Sequence, residues 1–220
     1  MSYRGLSLLN LKELLDGDMS RIRNVVRFSN STRIKDESVA EHSFFTVYYS
    51  MVLAHTLMTE EGVSIDMGRL LSGAILHDVD EAKSGDFVRH FKYMDKDLKK
   101  HIEDATFKIM QRAFEPLFDR NRSAEYNNEP SNTFQRLWAS AKDPETLEGD
   151  IVAFADFLSV LSYVMNEIDC GNEKLIRQLD DMYEYAESFY QRDFYKYKEV
   201  KAWLVQVLSI LNKYRIKTED

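Results

Sequence analysis

LLSGAILHDVDEAKSGD, residues 70–86, is the stretch whose reading decides the fold. A helical apolar run that starts near Ile65 ends on His77 and Asp78. Asp80 to Lys83 then forms one short turn, closed by Gly85. Working outward, the rest of the chain also reads as helices. Leu6 to Leu15 has helical apolar spacing and stops at Gly17, and Ser20 to about Phe28 reads as a short second helix. SNSTRIKDE, residues 29–37, is polar and turn-rich and reads as a loop. Ser38 with Glu41 three residues later makes a capping box, opening a helix to about Glu60 that is roughly 33 Å long at 1.5 Å per residue. Downstream, Asp95 to Phe118 predicts a charged amphipathic helix and Arg120 to Ser131 a mobile polar loop. Thr133 to Ala141 predicts a short helix, and Pro144 to Ile168 a long apolar one closed by Gly171. Asn172 to Gln191 and Lys196 to Lys213 complete the set. No segment shows strand alternation. The expected class is all-α: one compact multi-helix domain over residues 1–220. Its core is expected over about 20–172, with C-terminal helices, 173–214, that pack on it or mediate oligomerisation.

Composition supports that reading. The 220 residues include only 8 Gly and 3 Pro, which suits long helices with short connections. A chain of this length buries roughly 70% of its extended surface, so a real core is available. The net charge of −8 argues against a nucleic-acid polymer as partner, because such binders present a basic field. A few local cations can still hold a small phosphate compound. The single cysteine, Cys170, cannot pair within the chain and fits a reducing compartment. MSYRGLSLLNLKELLDGD, residues 1–18, carries acids and lacks a basic start followed by an apolar run, so no secretory leader is expected. The longest apolar stretch, Ile151 to Met165, is interrupted by Asp156, Ser159 and Ser162 and falls short of the roughly 20 residues of a membrane span. A cytoplasmic protein with no membrane partner is expected.

The chemistry lies in polar residues stranded among apolar ones. Asp156 sits in IVAFADFLSVL, residues 151–161. An unpaired carboxylate taken out of water costs several kcal/mol, so an arginine, hydrogen bonds or a metal ion must compensate. His77 and Asp78 pose the same problem, and so does His42 ahead of FFTVYYSMVLA, residues 44–54. Any one of these alone is ordinarily a satisfied core residue. Two histidines and two aspartates on three helices instead form a standard N/O ligand set for one divalent transition metal ion: manganese, cobalt, zinc or iron. Glu81 follows His77 by four residues and shares its face if the helix continues. A carboxylate there can orient an activated water, take its proton or protonate a leaving group. Asp86 follows Gly85 in a loop that can approach a ligand. Without the four-residue cluster, both would read as a solvated acidic turn.

Arg27, AEHS at 40–43, HDVDEAKSGD at 77–86, AD at 155–156 and EIDCGN at 167–172 together resemble the HD-domain 5′-deoxynucleotidase family, over about Arg27 to Asn172. The resemblance implies an all-α HD-domain bundle with metal held by His42, His77, Asp78 and Asp156. It implies Glu81 as catalytic acid/base, Asp86 on the sugar 3′-hydroxyl, favouring deoxyribose, and Arg27 on the phosphate. The sequence departs from the family pattern at Phe28, where an indole is common, at Ala153, where a lysine is common, and after Gly85. There DFVRHFKY, residues 86–93, lacks the usual prolines and carries Arg89, His90 and Lys92. Those departures bear on the substrate more than on the metal.

The expected activity is a metal-dependent phosphohydrolase acting on deoxynucleoside 5′-monophosphates through a metal-activated water. Arg27, helped by Lys92, holds the phosphate, Glu81 handles the proton, and Phe28 and Asp86 face the sugar. Two alternatives differ in kind. A deoxynucleoside triphosphate triphosphohydrolase would use the same scaffold, with Lys83, Arg89, His90 and Lys92 along a longer phosphate chain. A non-catalytic metal-bound nucleotide sensor would have no use for Glu81 and Asp86. His55 reads as structural and His101 as solvated. The C-terminal aromatic residues, Tyr183 to Trp203, read as packing or as the interface of a homo-oligomer, a dimer or larger.

Overall fold

Ser38 behaves as its spacing from Glu41 predicts. Its hydroxyl accepts the Glu41 N–H at 3.2 Å, and the Glu41 carboxylate accepts the Ser38 N–H at 2.8 Å. That reciprocal cap fixes the start of helix α2, Val39–Glu60. The computed structural model describes residues 9–86, 94–118 and 130–216, and within them the chain is helical with no strand. The other helices are α1 (Leu11–Asp16), α3 (Met67–Leu76), α4 (Glu81–Ser84), α5 (Lys96–Ala113), α6 (Pro130–Ala141), α7 (Leu147–Asp169), α8 (Gln178–Ser188) and α9 (Lys198–Ile216).

Helix α7 is the hub, with α2, α3 and α6 packed against it. Ile151, Phe154, Ala155, Leu161 and Val164 give it a buried face at helical spacing. Full burial of each large side chain contributes roughly 1.5–3 kcal/mol. α7 is long and apolar enough to cross a membrane by length and composition, which the interrupted sequence run does not suggest. Its apolar residues face the protein core instead. Phe154 meets the rings of Phe189 at 5.1 Å and Phe194 at 5.8 Å. Val200, Leu204, Val207, Leu211 and Tyr214 of α9 close the same core. The C-terminal aromatic residues are thus largely packing: Phe189 and Phe194 are buried, and Tyr183, Tyr185, Tyr190, Tyr195, Tyr197 and Trp203 pack against the core.

Exposed apolar residues are spread over the described surface, and the longest run of them lies on α2. Phe44, Phe45, Tyr48, Met51 and Val52 of α2 are all exposed, Phe44 by 63%. A smaller cluster of Met110, Ala113 and Phe114 from α5 with Trp138 from α6 packs beneath Leu76 and Val79. Gly73 lets α3 and α6 approach closely, since a Cβ there would stand 3.2 Å from the Ala141 Cβ.

Several expected boundaries move, each for a local reason. Within the described residues the first helix begins only at Leu11, behind the Asn10 cap. The expected helix from Ser20 to Phe28 is a 3-10 turn, Asp18–Asn24. It stops because Val25 and Val26 are extended and pair with the start of α2: Arg27 N–H donates to Glu37 O at 2.9 Å and Val39 N–H to Val25 O at 2.9 Å. Pro116 ends α5 early, in the 3-10 turn Glu115–Leu117. The stretch expected to be helical from Asn172 to Gln191 is α8 with a 3-10 turn at each end, Glu173–Arg177 and Phe189–Gln191. α6 begins at Pro130, inside the expected loop, whose residues 120–129 lie outside the described ones.

Candidate active site

The short α4 and the turn before it place the HD pair. α3 ends at Leu76, and His77 follows as its C-cap. Val79 to Asp80 then turns into α4. Asp80 pins this turn to α6, accepting the Trp138 indole N–H at 2.9 Å and the Lys142 ammonium at 3.2 Å. Gly85 ends α4 with φ of 73°, a conformation that L side chains rarely adopt, and so turns the chain toward Asp86.

His42, His77, Asp78 and Asp156 converge, with one ligand atom from each lying within 4.8 Å of the others. His42 Nε2 is 3.0 Å from Asp156 Oδ1, and His77 Nε2 is 3.0 Å from Asp78 Oδ2. The two Nε2 atoms face each other at 3.3 Å. The outer nitrogens decide which tautomer is present. His77 Nδ1 lies 2.7 Å from the carbonyl oxygen of Ala74, which can only accept, so Nδ1 carries the hydrogen. His42 Nδ1 meets Ser159 Oγ at 2.9 Å, while that hydroxyl points its own hydrogen at His42 O. Both Nε2 lone pairs therefore face the two carboxylates. Two imidazole Nε2 atoms and two carboxylates are a donor set that fits a divalent metal ion, whose charge would replace any proton shared among them.

The electrostatics follow from burial and from one another. Burial pushes His42 down to about 4, and the Arg27 charge acts the same way. Burial also opposes the charge on His77, yet Asp78 and Asp156 hold it above its ordinary value. Burial alone would raise both aspartates; the histidines keep Asp78 and Asp156 below the usual carboxylate range.

Three further expected residues surround the cluster. Burial pushes Glu81 up to about 10, with Asp78 and Asp86 adding to it. Its Oε2 is buried with no hydrogen-bond partner among the described residues. Arg27 is also buried, which works against its charge, but Asp156, Asp78, Glu37 and Asp86 keep it fully protonated. Its guanidinium lies 3.3 Å from Glu37 Oε2. Asp86 is raised by burial, against the pull of Arg27, and its Oδ2 accepts the Phe28 N–H at 3.0 Å. Phe28 adopts φ of 53°, unusual for a residue with a bulky side chain. Its ring stacks on Tyr163 at 5.1 Å, and the Arg27 guanidinium lies 5.5 Å from the ring centre.

Not every expected residue joins this group. Lys83 is drawn away by Asp18 at 3.1 Å. Arg89, His90 and Lys92 lie outside the described residues. His55, expected to be structural, is exposed rather than packed in the core, and His101 is exposed as expected. Ala153 packs against the core. Sequence reasoning missed Glu37, Ser159, Tyr163 and Glu167 as site-shaping residues. Their signal was available for α7, where 156, 159, 163 and 167 are polar positions at helical spacing in an apolar helix.

Known proteins agree with this picture. The family model described as 5'-deoxynucleotidase YfbR-like matches residues 17–208. A 4'-phosphooxetanocin A phosphatase of Priestia megaterium is 24% identical over 156 residues, covering 71% of this chain and 74% of its own length. An HD-domain phosphohydrolase of Listeria innocua superposes with a TM-score of 0.65 at 20% identity, covering 92% of this chain and 98% of that one. The PH0347 protein of Pyrococcus horikoshii superposes with a TM-score of 0.68 at 19% identity, covering 93% and 99%. At such identities the superpositions show the fold, and the fold is that of the HD-domain proteins. The activity follows from the family match: the chain is a metal-dependent phosphohydrolase and belongs to the YfbR-like 5'-deoxynucleotidase family.

Proposed function

We propose that the chain removes phosphate from deoxynucleoside 5′-monophosphates, releasing orthophosphate and a deoxynucleoside. The observation that carries this reading is the position of Arg27, a buried cation beside Glu37 that Asp156, Asp78 and Asp86 keep charged. One buried guanidinium suits one phosphate group, which it grips through paired N–H donors. Lys83, the described candidate for a longer phosphate chain, is bound to Asp18. The Priestia relative is a phosphatase by name, which also favours release of a single phosphate.

In this reading His42, His77, Asp78 and Asp156 hold a divalent cation, of manganese, cobalt, zinc or iron type, that supplies Lewis-acid activation of water and neutralises charge at phosphorus. Arg27 leaves Glu37 to bind the phosphate oxygens. Glu81, shielded from water, holds its proton on the buried carboxyl and delivers it to the leaving 5′-oxygen. Asp86, with Oδ2 anchored on the Phe28 N–H, accepts a hydrogen bond from the sugar 3′-hydroxyl. Phe28, braced by Tyr163, walls the sugar.

The reading assigns the work to the cytoplasm, in keeping with an unpaired thiol at Cys170. A second copy of the chain is the partner we assign to the apolar stripe of α2. The stripe from Phe44 to Val52 has no charged residue, and under two-fold symmetry each copy covers the other.

Phosphorus NMR of the products tests the substrate. Orthophosphate from a deoxynucleoside monophosphate is expected. Tripolyphosphate from a triphosphate, with no turnover of monophosphates, would establish the triphosphohydrolase reading in its place.

A further inference from the structure

Asp156, Ser159, Tyr163 and Glu167 lie three, four and four residues apart, so they form one polar line along α7. Each reaches a different part of the site. Asp156 and Ser159 hold the two nitrogens of His42. Tyr163 stacks on Phe28, and its hydroxyl donates to Lys35 O at 2.8 Å. Glu167 grips the loop that begins after Phe28. Its Oε2 accepts the Ile34 N–H at 2.7 Å and its Oε1 accepts the Lys35 N–H at 2.8 Å. Asn172 completes the grip, donating to Glu167 Oε2 at 2.8 Å and to Thr32 O at 2.9 Å.

Glu167 is fully buried. A buried carboxylate is tolerated where N–H donors replace its water, and here two backbone amides of the loop and one side-chain amide do so. The captured stretch, 32–35, lies between Phe28 and Glu37, the neighbours of Arg27 on either side of the loop. The bonds from Glu167 are therefore long-range struts between the helix that carries Asp156 and the segment that carries Arg27.

We propose that Glu167 is a positioning residue: by holding the loop at Ile34 and Lys35, it sets where Arg27 and Phe28 stand relative to the His42–Asp156 cluster. Its place on the same helix face as Asp156 makes α7 a ruler between the two halves of the site. The proposal rests on Arg27 as the phosphate ligand. Displacements of about 1 Å in such a group cost up to about a hundredfold in rate, so a loosened strut should be visible in kinetics.

The test uses the full chain with Glu167→Gln, which keeps the size but turns an acceptor into a donor facing loop N–H groups. Metal content and helical circular dichroism should match the unsubstituted protein. KM for dAMP should rise on the order of tenfold while kcat changes by less than about threefold. Inorganic phosphate, followed by calorimetry, should bind correspondingly more weakly, and trypsin should cut faster after Arg33 and Lys35. Tyr163→Phe keeps the ring on Phe28, removes only the bond to Lys35 O, and should shift all of these the same way by less. If Glu167→Gln does not fold, Tyr163→Phe decides. Faster trypsin cutting with unchanged KM and unchanged phosphate binding would overturn the proposal, since the strut would then hold a loop that the site does not need. Loss of metal would overturn it too, assigning Glu167 to the cluster. If the unsubstituted protein does not hydrolyse dAMP, the monophosphate reading fails by itself, and phosphate binding with trypsin cutting still decides the role of Glu167.

Discussion

Asp156 lies between the buried Ala155 and Phe157, with His42 Nε2 3.0 Å from its carboxylate. A divalent ion shared with His42, His77 and Asp78 would balance its charge. Asp156→Ala is expected to lose the metal, measured by elemental analysis after dialysis, with helical content unchanged; a full metal equivalent retained would make Asp156 a core acid. Glu81 makes a contrasting case. It is not among the four converging donors, and its Oε2 has no hydrogen-bond partner among the described residues. Glu81→Gln should therefore keep the metal and inorganic phosphate affinity while turnover falls by about 10²–10⁴-fold, the usual worth of a placed acid or base. Unchanged turnover would move the proton chemistry to another group.

At the scale of elements, the start of α2 matters more than its length. His42 stands one turn inside the Ser38 cap, and the cap bonds set the angle at which that turn leaves the Val26–Ser38 bridge. Ser38→Ala should cost about 1 kcal/mol and lower Tm by about 2–4 °C in a chain of this length, read by thermal denaturation. The cap was legible because its signature is local: two residues at fixed spacing. The segments that carry His42, His77, Asp78 and Asp156 were legible for a related reason, since a polar residue stranded in an apolar run is conspicuous in one dimension. The 3-10 turn at Asp18–Asn24 was not, because what stops it is a pairing of Val26 with Ser38 across a loop. Glu37 and Glu167 were not for the same reason. Their meaning lies in Arg27 and in the backbone of Ile34 and Lys35, 10 residues away in one case and more than 130 in the other. The Phe28 backbone, with its positive φ, has no sequence signature at all.

Across the whole molecule, the aromatic richness of the C-terminal third is misleading about surfaces. Those rings pack on the core, and a run of exposed apolar residues lies instead on α2, which also carries His42. Phe45→Glu should convert a self-associated species to the monomer by light scattering, with folding intact because the side chain is already 43% exposed. A species that stays the same size would remove α2 from the interface. The two-sided role of α7 has a practical corollary. The chain has one cysteine, Cys170, exposed at the C-cap of α7 and three residues beyond Glu167. A fluorophore or spin label on that thiol would sit beside the struts to the Arg27 loop, with no engineered cysteine needed. The protein thus carries its own attachment point for watching, in real time, whether the loop tightens when phosphate arrives.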